Sequence, residues 1–567
     1  MIFRLARAQR DPLADRRAAQ RWLASFPSSE MLDVHGQLLE ALGQAGQQSA
    51  RRSPARLEAI FFADSETSEL RKSLTAQYLQ HASRSSKIEH QLWSALFDLT
   101  QAFLLAYQAF ARDATDYEQN ARWRNLLPQL LCQQIVHLAL DARVRLYRYE
   151  QWIPAKWAEA HALFTMACAR QIERVPIPRG RSGATTTIEH EYVKLLVLQL
   201  MNSGNLTARH LEWIANELDE WCAPLRLALE APTIHSFYVD LASREGLRRR
   251  SPAPLEGRVL FIDTRPLHSV LMQNILVLDQ KIRMQPLSDR TPRRTEQLSL
   301  LNRIAAQVDP EFKPFARRGE RTAADGMVDA VVGFARIAAY LREEERSPLP
   351  PVDIGGSFDE TIELAVFGRV RNEHNRQVEL SRRRLAQYAT SGGPWEVKDV
   401  SQTGFRLLAP MSDAHSVTLG TLAAIRPHGQ PLWTLGIVRR MRRITSDRAE
   451  IGLQVLATTI VGVDLIDQRK SADEEYSVNG EAVTTSGHHF AALYLALRKR
   501  DGEAPVRSLI LPAGEYHPTR RFKLGTSKGT YPVRFGRLIE QQPDWVWTAV
   551  EPFDVGQELS GIKTVFG

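Results

Sequence analysis

The apolar residues of this 567-residue chain change their period partway along the sequence. Up to about residue 345 they recur every three or four positions, as on one face of an α-helix. After the proline-rich stretch Arg346-Ser347-Pro348-Leu349-Pro350-Pro351, short apolar runs alternate with turn residues, which is typical of β-strands. A chain of this length needs more than one core. The sequence therefore predicts a helical N-terminal region followed by β domains.

The helical region is predicted from amphipathic stripes. One stripe consists of Leu92, Leu96, Leu99, Phe103, Ala106 and Phe110, and a second of Leu127, Leu131, Ile135, Leu138, Ala142 and Leu146. Further helices are predicted at 157–172, 188–201, 208–229, 295–308 and 323–345, and a short strand at 259–262. Because such helices bury their stripes against one another, we expect an all-α bundle or a layered helical array.

Two groups of strands are predicted in the C-terminal part. The first comprises 395–400, 405–408, 418–425, 432–444 and 450–456, which fits a small antiparallel barrel or sandwich. The second comprises 490–497, 506–511, 531–539 and 545–550. We expect a second β domain there, and the sequence leaves open whether it duplicates the first.

These patterns predict a domain order along the chain. The predicted parts are a helical bundle at 1–250, a mixed and mostly helical extension at 251–345, a Pro/Gly linker at 346–360, a β-barrel at 361–466, a polar linker at 467–487 and a C-terminal β domain at 488–567.

Charge and composition exclude several classes of function. The net charge of +8 is spread along the chain without a block of like charge, so nucleic acid is not the expected partner. Three widely spaced cysteines and no C-x-x-C predict neither a disulfide framework nor a metal site. The N-terminus lacks an apolar signal segment, and the apolar stretch from Ile88 to Ala111 contains Glu89, His90, Gln91, Asp98 and Gln101. We expect a cytoplasmic protein without membrane insertion.

The sequence carries few signs of catalysis. The basic loop Arg179-Gly180-Arg181-Ser182-Gly183 lacks the G-K-[ST] ending of a P-loop, and no cyclase, metalloprotease or nucleophile-elbow motif occurs. We therefore predict a non-catalytic binding protein that uses no cofactor.

The strongest functional motif is the polar turn Asp399-Val400-Ser401-Gln402-Thr403-Gly404, of the form D-x-S-x-x-G. An Arg-rich segment precedes it, and two strand-like runs follow it, Leu435-Gly436-Ile437-Val438-Arg439-Arg440 and Ile451-Gly452-Leu453-Gln454-Val455-Leu456. In this order the three landmarks resemble the PilZ domain, a bacterial receptor module for cyclic di-GMP. The resemblance covers about a fifth of the chain and implies a small β-barrel that binds this nucleotide.

The resemblance also implies which residues bind the ligand. The PilZ family uses an R-x-x-x-R pair ahead of its first strand, because planar guanidinium groups contact phosphate and guanine well. Here Arg371 and Arg376 stand near the expected place but are spaced one residue wider, and the R-x-x-x-R matches at Arg290/Arg294 and Arg317/Arg321 lie too far upstream. The expected ligand-binding residues are Arg371, Arg376, Asp399, Ser401 and Gly404, with Arg382, Arg383 and Arg384 as possible additions.

Three functions remain open at this point. The first is a regulator that binds cyclic di-GMP and a protein partner, the latter through the helical region. The second is a degenerate PilZ-like adaptor that binds a protein partner and no nucleotide. The third, binding of nucleic acid through Arg439, Arg440, Arg442 and Arg443, is the least favoured because the charge is diffuse.

Overall fold

The computed structural model divides the chain into two compact units, Met1–Pro314 and Phe315–Gly567. It describes residues 11–26, 31–47, 52–81, 86–111, 120–179, 184–202, 204–231, 237–250, 257–284, 292–311, 321–346, 393–401, 403–414, 417–427, 432–445, 447–467, 489–496, 507–517, 521–526 and 529–552. Nearly all of the two predicted linkers lies outside the described residues, so the predicted domain boundaries stay predictions.

The first unit is built mainly from helices. They are α1 Arg16–Leu23, α2 Met31–Gln47, α3 Pro54–Glu66, α4 Ser68–His81, α5 Ser86–Ala111, α6 Ala121–Leu146, α7 Pro154–Ala169, α8 Ile188–Met201, α9 Ala208–Trp221, α10 Arg265–Arg283 and α11 Pro292–Val308. Several begin at side-chain caps: Ser53, Thr187 and Thr207 each accept the amide N–H three residues on. No helix among the described residues is long and apolar enough to cross a membrane.

An apolar core runs through this unit from Leu13 to Val308. Within it, the buried Asp64 of α3 accepts hydrogen bonds from Tyr107 of α5 and His137 of α6, each at 2.8 Å. Arg71 of α4 lies 2.8 Å from the same carboxylate. Neighbouring helices thus supply partners for the buried charge, and the carboxylate ties four helices together.

In the described part of the first unit, two small antiparallel sheets accompany the helices. One pairs β1 Ile177–Pro178 with β2 Thr185–Thr186, and the other has the order β3-β6-β4-β5, formed by β3 Leu227–Ala228, β4 Phe237–Asp240, β5 Arg248–Arg249 and β6 Val259–Ile262. The predicted helix at 208–229 is therefore wrong at its end, because helix α9 stops at Trp221 and Leu227 begins a strand. The predicted strand at 259–262 is confirmed.

The first β-barrel is closed and antiparallel, with the strand order β10-β11-β12-β9-β8-β7. Its strands are β7 Thr322–Val332, β8 Trp395–Ser401, β9 Gly404–Pro410, β10 Leu422–Pro427, β11 Thr434–Arg443 and β12 Arg448–Ala457. The predicted helix at 323–345 is wrong over its first ten residues, which form β7. This strand pairs with both β8 and β10 and closes the barrel.

The second β-barrel is also closed, with the order β13-β14-β15-β18-β17-β16. Its strands are β13 Ile460–Asp467, β14 His489–Ala496, β15 Arg507–Pro512, β16 Arg521–Thr526, β17 Gly529–Gln541 and β18 Trp545–Pro552. Numbered along the chain, the first three strands of each barrel lie side by side in order, and the third strand pairs with the sixth. The fifth and fourth strands follow, and the fourth pairs with the first to close the barrel. The two barrels therefore share one topology. The predicted fold class, a helical region followed by a small antiparallel barrel and a second β domain, is confirmed.

Helix α12, Phe334–Arg346, packs between the two barrels, and a one-turn helix, α13 Met411–Ala414, follows β9. Gly333, at φ +90°, connects β7 directly to α12. The α12 residues Ile337 and Ala338 share one buried cluster with Leu435 of the first barrel and Trp545 of the second. The two barrels and α12 thus share a core.

Candidate functional site

The D-x-S-x-x-G sequence forms a tight hairpin between β8 and β9. Ser401 and Gly404 are the last pair of the ladder between these strands. The Ser401 hydroxyl donates a hydrogen bond to the Gly404 carbonyl at 3.2 Å, and the amide of Val455 donates to the Thr403 carbonyl at 2.9 Å. The predicted interstrand turn is confirmed, and strand β12 supports it from the side.

Gly404 is required by space rather than by a left-handed backbone. Glycine in such a turn often has a positive φ, but Gly404 continues into β9 without one. A Cβ atom at this position would lie closer than 3.0 Å to the carbonyl oxygen of Leu453. Only glycine lets the backbone of β12 approach the turn this closely.

Asp399 lies between two guanidinium groups. Its side chain is only 10% exposed, and its Oδ2 atom is 2.6 Å from Nε of Arg406 on the neighbouring strand β9. Its Oδ1 atom accepts a hydrogen bond from Nη1 of Arg321 at 3.2 Å. The carboxylate is therefore fixed in place at the outer edge of the barrel, with charge-assisted contacts on both sides.

Arg321 is a functional candidate that the sequence interpretation misses. It directly precedes β7, which is the first strand of the barrel, and it ends the R-x-x-x-R match that begins at Arg317. The match looks too far upstream only as long as residues 323–345 are interpreted as a helix and the barrel is expected to start later. The signal is nevertheless in the sequence. A pair of arginines ahead of the first strand, together with a D-x-S-x-x-G turn, is the arrangement that the PilZ resemblance implies.

The other predicted arginines, namely Arg371, Arg376, Arg382, Arg383 and Arg384, lie outside the described residues. In the sequence they stand between helix α12 and strand β8, in the long connection that separates β7 from β8. Of the predicted site, the structure brings together Asp399, Ser401 and Gly404, and it adds Arg321 and Arg406.

More arginines line the outer face of the same barrel. Arg406 pairs across the ladder with Gly452 of β12, and Gly452 pairs in turn with Arg440 of β11. Two positions along β12, Glu450 lies 3.2 Å from Arg442 and 3.7 Å from Arg406. Among these described residues cations exceed carboxylates, so the face favours an anionic ligand.

The second barrel lacks these groups at the corresponding described positions. Two ladder positions in from the β8–β9 turn, Asp399 pairs with Arg406. Two positions in from the described end of the β14–β15 ladder, Tyr494 pairs with Leu509. The residues just before β13, Ala457-Thr458-Thr459, include no arginine. The candidate site therefore belongs to the first barrel.

Comparison with known proteins adds information about the helical unit. The family model described as the N-terminal domain of the cyclic-di-GMP receptor FimW matches residues 17–233. The matched region covers helices of the first unit and ends well before either barrel. No curated protein matches the chain. The chain is thus similar to a cyclic-di-GMP receptor in its N-terminal part, whereas the candidate site lies in the first barrel.

Proposed function

We propose that this protein is a non-catalytic regulator that binds cyclic di-GMP on the outer face of its first barrel. The observation that carries the proposal is the contact between Arg321 and Asp399. It joins the arginine that directly precedes the first strand to the D-x-S-x-x-G turn, the two halves of a PilZ-type nucleotide site. The match of the helical unit to the N-terminal domain of a cyclic-di-GMP receptor supports the same ligand.

The chemistry of the side chains fits this nucleotide. The carboxylate of Asp399 can accept hydrogen bonds from the N–H groups of guanine, and arginine forks bind phosphate or the O6/N7 edge of guanine. In the free protein, Asp399 holds Arg321 by a hydrogen bond at the edge of the barrel. We expect the bound nucleotide to take over part of this contact, so that ligand binding changes the position of the chain just before β7.

Two sets of arginines compete for the phosphate-binding role. One is Arg317 with Arg321, and the other is the predicted pair Arg371 and Arg376, with Arg382, Arg383 and Arg384 nearby in the sequence. The contact of Arg321 with Asp399 favours the first set. The second set stays a candidate, since its segment leads into β8.

Isothermal titration of the full-length protein with cyclic di-GMP tests the function. We expect binding in the micromolar range or tighter, about a tenfold or greater loss with Arg321→Ala or Asp399→Asn, and little change with the double variant Arg371→Ala/Arg376→Ala. The reverse pattern would assign the phosphate to Arg371 and Arg376. Absence of heat at tens of micromolar nucleotide would contradict the function itself.

The second candidate is an adaptor that binds a protein through its helical unit and no nucleotide. It is favoured by one observation: Arg321 and Arg406 already satisfy Asp399 without any ligand. A thermal-shift screen separates the two, because a ligand that binds only the folded protein raises its Tm. In either case we propose that the protein is located in the cytoplasm and acts on a protein partner that binds its helical unit.

A further inference from the structure

The outer face of the first barrel contains a gap between two arginines. Arg406 of β9 and Arg440 of β11 both pair with Gly452 of β12, which lies between them and has no side chain. The residues on either side of Gly452, Ile451 and Leu453, are 0% and 3% exposed and point into the barrel. Gly452 and its two ladder partners therefore face outward. We call this gap the arginine slot, with Arg406 and Arg440 as walls and Gly452 as floor.

The two walls differ in how they are engaged. Arg406 is held by Asp399 at 2.6 Å, and its side chain is 42% exposed. Arg440 is exposed, and among the described residues it makes no hydrogen bond or ion pair. On the same strand, Arg439 and Arg442 both pair with carboxylates. One wall of the slot is therefore the exposed guanidinium of Arg440, and the other is the guanidinium of Arg406, which Asp399 holds in place.

The slot is wide enough for one aromatic ring. Neighbouring strands are about 4.8 Å apart, so the backbones of Arg406 and Arg440 are separated by about 9.5 Å. A ring stacked between two guanidinium planes needs two contact distances of about 3.5–4.0 Å. A Cβ atom on residue 452 would lie only 3.1 Å from Cβ of Arg440, so a side chain there would crowd the base of this wall.

Polar groups at the two ends of the slot favour guanine. Glu450 and Gln454 stand two residues to either side of Gly452 on β12. Glu450 offers a carboxylate, which accepts hydrogen bonds from the N1–H and N2–H groups of guanine. Gln454 already accepts a hydrogen bond from Arg439 through Oε1 at 2.7 Å. Because its amide oxygen is already engaged, the side chain of Gln454 can donate hydrogen bonds from its amide NH2 group to O6 or N7 of guanine.

From this arrangement we propose that the arginine slot takes one guanine base of the cyclic dinucleotide between Arg406 and Arg440, over Gly452. The inference rests on the proposed function and extends it, because it assigns a base-stacking role to residues outside the D-x-S-x-x-G turn. Guanidinium planes stack well on nucleobases, and the exposed Arg440 can turn to cover the base without breaking a contact to any described residue.

The test uses the full-length protein and titration with cyclic di-GMP. Arg440→Ala should weaken binding about tenfold, and Arg440→Lys nearly as much, because lysine keeps the charge and loses the plane. Gly452→Val should abolish measurable binding, since valine fills the slot. Because the added Cβ would crowd Cβ of Arg440, we expect a lower Tm for Gly452→Val with far-UV circular dichroism unchanged, and Arg440→Ala, which adds no atoms, tests the slot without this strain.

Arg448→Ala is the matched control. Arg448 lies on the outer face of β12 four residues from Gly452, and its ion pair with Glu396 is long at 4.0 Å. Its loss should change the affinity less than threefold. Cyclic di-AMP should bind at least tenfold more weakly than cyclic di-GMP to the wild-type protein.

The possible results distinguish failure of the function from failure of the slot. If the wild-type protein binds no cyclic di-GMP, the proposed function and the slot both fail. If it binds, and the Gly452→Val and Arg440→Ala variants bind equally well, only the slot fails. Full affinity of the Arg440→Lys variant would show that Arg440 contributes only its positive charge, which would contradict stacking. Equal affinity for cyclic di-AMP would contradict the assignment of guanine.

Discussion

At the scale of single residues, a glycine in a hairpin is needed either for its backbone conformation or for the space beside it. Gly404 belongs to the second kind, because the carbonyl of Leu453 occupies the place where a side chain would begin. A backbone carbonyl cannot rotate away as a side chain can. A larger residue must therefore push β12 and β9 apart, and the D-x-S-x-x-G turn would be distorted with them.

This predicts that Gly404→Ala destabilises the first barrel by about 1–3 kcal/mol. The measurement is the urea midpoint of the barrel transition, together with the affinity for cyclic di-GMP. Gly326→Ala is the control, since Gly326 also lies in a strand and a Cβ atom there would meet no other atom within 4 Å. Equal urea midpoints for both variants would contradict the prediction, because they would show that β12 moves away from residue 404 at little cost in stability.

His161 gives a second prediction at this scale, in the helical unit. Its Nε2 atom donates to the Glu245 carbonyl at 2.9 Å, and its Nδ1 atom lies 2.6 Å from the Tyr192 hydroxyl, which donates to it when the ring is neutral. Burial lowers the pKa of His161 to about 4, although nearby Asp240 acts in the opposite direction. A histidine in the unfolded chain has a pKa near 6.5.

Between these two pKa values the unfolded chain therefore binds a proton that the folded chain does not. Stability from His161 is complete above about pH 6.5 and is lost as the pH falls toward 4. We expect the Tm of the helical unit to fall more steeply between pH 7 and pH 5 in the wild type than in His161→Gln. Parallel pH profiles of the two proteins would contradict a neutral buried His161.

The residues of the turn are predictable from the sequence alone, whereas the R-x-x-x-R match that ends at Arg321 can be interpreted only once the first strand is placed. Asp399, Ser401 and Gly404 stand in a short local pattern, and local patterns can be recognised without knowledge of the fold. Arg321 contacts Asp399 from 78 positions away in the chain. Its role becomes visible only when the barrel is known to begin at Thr322.

At the scale of elements, the error over residues 323–332 has a physical cause. The residues Ala330, Val331 and Val332 are all buried, because one face of β7 lines the barrel and the other packs against α12 and its cluster. Only this end of β7 is covered on both faces, and there it shows a continuous apolar run rather than alternation, whereas the first half of the strand is largely exposed. Such a run, followed at once by the true helix α12, looks like one long buried helix.

Helix α12 makes separate contacts to each barrel. Glu344 accepts hydrogen bonds from Arg426 at 2.9 Å and Trp433 at 3.0 Å, both in the first barrel. Arg342 pairs with Asp464 of the second barrel. The apolar face of the helix carries Ile337, which is 0% exposed. Helix α12 therefore packs against both barrels.

We therefore predict that Ile337→Ala costs about 2–5 kcal/mol and lowers the unfolding transition of both barrels together. Arg336→Ala, one position earlier on the exposed face of α12, should change stability by less than about 0.5 kcal/mol. Differential scanning calorimetry resolves the transitions. A loss confined to one barrel would show that the other does not depend on α12.

At the scale of the whole molecule, the sequence indicates a second β domain but not its relation to the first. The structure shows that both barrels have the same strand order, although strands β13 and β16 are not predicted. The candidate residues Asp399 and Arg406 of the first barrel have no counterpart at the described positions of the second. The second barrel stabilises the first through side-chain contacts. Glu540 binds Arg439 through two hydrogen bonds of 2.8 and 2.6 Å.

This bidentate pair lies close to the candidate site. Arg439 also donates to Gln454, and Gln454 stands opposite Gly404 in the ladder. The ladder pair of Gly404 with Gln454 and the polar contacts of Arg439 therefore lead from the D-x-S-x-x-G turn to the second barrel. The apolar part of the same interface contains Trp545, whose indole N–H donates to the Gly420 carbonyl of the first barrel at 3.1 Å.

If the second barrel supports the first, damage to the shared core should reach the candidate site. Trp545→Ala should cost about 3–5 kcal/mol and raise amide hydrogen exchange in strands β10 and β11 of the first barrel as well as in β18. It should also weaken binding of cyclic di-GMP. Phe522→Ala is the matched comparison, because Phe522 is equally buried but belongs to the separate interior core of the second barrel. It should leave protection in β10 and β11 largely intact. If both variants expose the second barrel alone, the two barrels are independent in stability despite their common core.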